Sequence, residues 1–175
     1  MKRLLSIATA AAILLAASTA SAQNPMVDSL KRQHDMIKGN LLKTAAQVPD
    51  AVWAFKPTPD VRSFAQLMGH IANANYMICG AAGDTKGPGT DAEKTLSTKA
   101  DLSKAVADSF AFCDQVIAGM DDKKGMEMTK FFGAPTPRAM VIAFNNSHLN
   151  EHYGNLVTYM RLNKIVPPSS QTSSQ

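Results

Sequence analysis

Ser63-Phe64-Ala65-Gln66-Leu67-Met68-Gly69-His70-Ile71-Ala72 is the stretch whose reading decides the fold. Ser63 and Gln66 form an S-x-x-Q pair, in which each side chain can satisfy the other's free backbone N–H at a helix start. Phe64, Leu67, Met68, Ile71, Ala74 and Ile78 then fall on one face at helical spacing. Pro57 and Pro59 precede the start, and Gly80 and Gly83 are expected to stop the helix.

Three more segments carry the same periodicity, and no strand-like alternation competes with them. The first runs from about Met26 to Ala46, with Leu30, Ile37, Leu41 and Ala45 on its stripe and Pro49-Asp50 ending it. Another starts near Thr98, with Asp101 as capping partner, and carries Leu102, Val106, Phe110, Cys113, Ile117 and Met120. The last takes Thr136 as N-cap and Pro137 as its first helical residue, and runs to about Lys164 before Pro167-Pro168. Residues 84–98 read as a polar loop, and Asp121 to Pro135 as irregular chain.

Four amphipathic helices of similar length predict an all-α four-helix bundle. The loop between the second and third is long enough to cross the bundle, since extended chain covers roughly 3.3 Å per residue. The expected order is therefore up-down-down-up, with helices two and three parallel.

Outside the helices, Lys2-Arg3, an apolar run from Leu4 to Ala17 and Ala20-Ser21-Ala22 read as a secretory signal peptide cut after Ala22. The expected division is residues 1–22 signal peptide, 23–168 bundle and 169–175 disordered tail, for a periplasmic or secreted protein. The apolar run is too short to span a bilayer, and no second one follows. Without Lys2 and Arg3 the formal charge is 18 − 2 − 14 = +2, and the lysines are dispersed. That balance argues against nucleic acid as a partner. A small-molecule substrate and a homodimer remain open.

Cys79 lies late in the second helix and Cys113 late in the third. In a parallel pair the two sulfurs fall at similar heights, and an oxidising compartment favours a disulfide between them. The alternative is two buried free thiols.

His148 and His152 are four apart, on one face of the fourth helix, where both imidazoles can share an ion. Phe144, Asn155 and Tyr159 lie near that face, which turns it inward. His70 lies on or beside the second helix's stripe. Burying three unpaired imidazoles is costly, and coordination removes the cost. The three histidines are therefore the candidate ligands of one divalent metal, zinc or nickel, with a position left open. The alternative is a hydrogen-bonded polar cluster without metal. His148-Leu149-Asn150-Glu151-His152 also fits the inverted zinc-protease pattern H-x-x-E-H. That protease needs an acidic ligand further on, and no Asp or Glu follows Glu151. Glu151 is a candidate base or a solvated helix carboxylate. His34, between Leu30 and Ile37, is a candidate fourth ligand, a donor behind the ligands, or a core histidine.

The second-helix stretch quoted above, His148 to Leu156, and Tyr159 to Pro168 together resemble the DinB/YfiT-like superfamily, over essentially all of the chain after Ala22. The resemblance implies an up-down-down-up bundle with a three-histidine site for nickel, zinc or a similar ion, carried over to His70, His148 and His152. It also implies a metalloenzyme, since members perform thiol-dependent S-transfer and isomerisation. Cytoplasmic relatives often carry Arg and Gln where this chain has Tyr153 and Asn155. From the residues alone, two functions stand: a metalloenzyme of transferase or hydrolase type, or a non-catalytic metal-binding or structural envelope protein. A site closed by His34 would favour the second.

Overall fold

The computed structural model describes residues 24–171. The signal peptide read at residues 1–22 lies outside them. Eight regular elements follow in order: α1 Pro25–Gln47, α2 Phe64–Gly83, α3 Ala92–Thr95, α4 Lys99–Ala118, α5 Asp122–Gly125, β1 Met128–Phe131, β2 Ala134–Pro137 and α6 Arg138–Leu162. The bundle consists of α1, α2, α4 and α6.

Local chemistry sets the helix starts. Pro25 opens α1, and the next two free N–H groups, on Met26 and Val27, are bound by the Asp122 carboxylate of α5. The Ser63–Gln66 capping box forms in both directions at α2. Thr98 accepts from the Asp101 N–H at α4. Each cap satisfies donors that a helix start leaves free.

Side-chain pairings fix the directions. Going down α2, Asn75 meets Ser109 and Cys79 meets Cys113, so α2 and α4 run parallel. Arg62, His70 and Ala82 meet Tyr159, His148 and Arg138, so α6 runs against α2. Leu30 pairs with Asn146 and Gln47 with Met160, so α1 runs with α6. The order is up-down-down-up, as the long loop implied.

The core has two apolar regions. One gathers Trp53, Phe64, Phe110 and Leu149. The other surrounds Cys79, Cys113, Ile117 and Ile142. Between them Asn145 donates to Asn75, which donates to Ser109, all three fully buried. Cys79 and Cys113 form a disulfide across the parallel pair, with Cα atoms 5.3 Å apart. Among the described residues no helix is long and apolar enough to cross a membrane. Both observations are compatible with an exported protein.

Several local expectations are corrected. Thr136 does not cap the fourth helix. It pairs with Thr129 in a two-stranded antiparallel hairpin, and the helix starts at Arg138 with Pro137 at the cap position. Pro135 and Pro137 argue against a strand in sequence, but a two-stranded ribbon consists only of edges, where Pro is tolerated. Phe132 and Gly133, both at positive φ, make its tight turn. Gly80 and Gly83 do not end α2; Asp84 does, at φ 50°. The two glycines serve close packing, since a Cβ at Gly80 would lie 2.6 Å from the Thr85 carbonyl oxygen. The loop at 84–98 contains α3. Ser169 and Ser170, expected in a disordered tail, belong to a 3-10 turn over Pro168–Ser170. The Ser169 N–H donates to the Tyr153 hydroxyl, and Gln171 donates to Gln47.

Candidate metal centre

His70 projects from α2, and His148 and His152 from successive turns of α6. The antiparallel pairing brings the three rings to one point. Nε2 of His148 lies 3.3 Å from Nε2 of His70 and 2.9 Å from Nε2 of His152. All three ligand atoms fall within 4.8 Å of one another. Nitrogens 2.0–2.1 Å from one zinc ion would stand about 2.9 Å apart at a right angle and about 3.4 Å apart in a tetrahedron. The two measured separations match these figures. A shared proton can satisfy one such pair at a time; a cation satisfies three lone pairs together.

The electrostatics suit a cation as well. Burial pushes the pKa of all three histidines down, and for His152 burial, then His148 and His70, lower it to about 4. Neutral imidazole is the form that binds metal. His70 and His148 are half-buried and His152 is buried. Phe144 stacks on the His148 ring, with centroids 6.3 Å apart and planes at 18°. A cleft of about 740 Å³ opens beside His152, bordered by Arg62, Glu93, Glu151, Asn155 and Tyr159.

Glu151 is exposed on that cleft's wall. His34 is not brought to the cluster. It is fully buried, 3.4 Å from the Asp114 carboxylate and edge-on to Phe110. Burial pushes its pKa down, against the pull of Asp114. A fourth-ligand role for it is thereby corrected: helix α1 turns that face towards α4.

Sequence reasoning did not single out Glu93 or Arg62. Glu93 Oε2 lies 3.3 Å from His70 Nδ1, and the Arg62 Nε–H donates to Glu93 Oε1 at 2.8 Å. The available signal was Gly69, a helix-interior glycine beside a candidate ligand, which marks a close approach by other chain.

An antiparallel helix pair carrying three converging imidazoles beside a cleft defines a class: helical bundles with a candidate three-histidine metal centre. The chain belongs to the DinB superfamily, whose sequence model matches residues 33–156. Among solved structures it is similar to a DinB-like protein from Bacillus cereus, at TM-score 0.70 and 16% identity, over 81% of this chain and 95% of that one. It is similar to a second DinB-like protein, from Bacillus subtilis, at TM-score 0.66 and 15% identity, over 82% and 99%. A conserved protein from Enterococcus faecalis gives TM-score 0.59 and 19% identity, over 78% and 94%. These likenesses show the fold. No curated protein gives a match.

Proposed function

We propose that His70, His148 and His152 hold one divalent metal ion, zinc or nickel, and that the protein is an exported metalloenzyme acting on a small molecule. The single observation that carries this reading is the convergence of one ring nitrogen from each of His70, His148 and His152 to within 4.8 Å of one another. Three protein ligands leave a coordination position free, the arrangement of catalytic rather than closed structural sites. When bound, such an ion supplies Lewis acidity at that position.

The protein's own residues supply the rest. Glu151 borders the cleft and is the candidate to take the proton of an attacking water or thiol, as hydrolase or thiol-dependent transferase chemistry would need. Asn155 and Tyr159 line the space a substrate would fill. The placement of His34 away from the three converging rings favours an enzyme over a site closed by a fourth histidine.

Metal analysis of the purified protein beside a His148→Ala, His152→Ala variant tests the reading. About one equivalent of ion in the native protein and almost none in the variant is the expected result. Equal metal content in the two would remove the site.

A further inference from the structure

We propose that Glu93 is the positioning residue of this centre: its carboxylate accepts a hydrogen bond from the Nδ1–H of His70 and so aims the opposite nitrogen at the ion. The inference rests on the metal reading above. An ion on Nε2 obliges the proton to sit on Nδ1, and that proton needs an acceptor. The three histidines differ here. His148 Nδ1 is buried without a partner, and His152 Nδ1 faces the Asn155 side-chain amide at 3.5 Å. Only His70 has a carboxylate, at 3.3 Å.

The delivery of Glu93 is built into α2. Helix α3 docks against α2 through Asn73, whose carbonyl oxygen accepts from the Ala92 N–H at 2.8 Å and whose amide donates to Asp91 at 2.7 Å. The docking is close because residue 69 is glycine. A Cβ there would lie 2.6 Å from Glu93 Cα and 2.7 Å from its backbone nitrogen. Both are main-chain atoms, which cannot swing aside. Gly69 and Asn73 thus flank His70 on its own helix and bring Glu93 to its ring. Arg62 occupies the other carboxylate oxygen, which leaves Oε2 for His70.

Charge gives Glu93 a second effect. The Arg62 guanidinium disfavours a proton on each of the three rings, and it would disfavour a dication held by them too. Glu93 neutralises that guanidinium and is itself attracted to the ion.

Cobalt titration of the metal-free full chain, against a competing chelator, tests the assignment. Outer carboxylates of this kind are worth about 10- to 100-fold in metal affinity. Glu93→Ala is expected to weaken cobalt binding by that factor and to shift the visible cobalt band, while the metal-free protein keeps its helical content. Glu93→Gln, whose amide oxygen still accepts but carries no charge, should fall between. Gly69→Ala should weaken binding too, and adding it to Glu93→Ala should cost little more, because both act through one contact. Cobalt affinity in Glu93→Ala equal to the native value overturns the proposal, as do fully additive losses in the double variant. Failure of the native chain itself to take up cobalt removes the metal reading together with it.

Discussion

His152 keeps its ring against two other imidazoles, and the consequence is a pH dependence of known sign. Burial, with His148 and His70 beside it, lowers its pKa from 6.5 to about 4. The unfolded chain takes up this proton as the pH falls through the ordinary value, and the folded chain does not until much lower. Over that window the unfolded state binds more protons, so folding stability falls as the pH falls. His70 and His148 are displaced the same way, chiefly by burial. Thermal melts of the metal-free protein should therefore drop steadily between about pH 7 and about pH 4.5. His152→Gln should drop less over the same range. A native melting temperature that stays level would contradict the burial described for this ring. The three candidate ligands were legible in sequence because four-residue spacing and an apolar stripe are properties of one helix. Glu93 was not, because its stretch reads in sequence as polar loop and it reaches His70 only when α3 docks.

At the scale of the element, the disulfide ties α2 to α4 across a sequence separation of 34 residues. Closing such a loop restricts the unfolded chain, which is worth roughly 4 kcal/mol on the chain-entropy account. Cys79→Ala, Cys113→Ala should lower the unfolding free energy by that amount, with a lower denaturation midpoint and a steeper transition, because the unlinked chain unfolds to a more open ensemble. An unfolding free energy within about 1 kcal/mol of the native one would mean that reduced and oxidised chains unfold to similar ensembles. The bridge, the capping box at Ser63 and the cap at Thr98 could be read in advance because each follows from helix phase and direction. The hairpin at 128–137 could not. It lacks a buried face, and its exposed and half-buried positions follow no apolar alternation. Thr136-Pro137 also imitates a helix start, and only pairing with Thr129 assigns Thr136 to a strand.

The whole molecule carries the remaining expectation, which concerns where the chain works. If residues 1–22 direct export, the protein recovered outside the cytoplasm should begin at Gln23 on N-terminal sequencing. Recovery of a chain beginning at Met1 in the cytoplasm alone would defeat that reading. The parallel α2–α4 pair was legible at this scale from the length of one loop; the position of His34 was not, since its surroundings are set by how α1 packs on α4.

His70 and His148 are separated by 78 residues. Among the described residues His70, His148 and His152 bring the three nitrogens together, so the complete site comes into being when the last long helix settles against the second. An ion held by all three rings therefore requires that docking. First-row metals compete for such sites largely by availability. The choice among them would then be made by the surroundings in which α6 docks, and a chain still unfolded on its way to another compartment would arrive there without one.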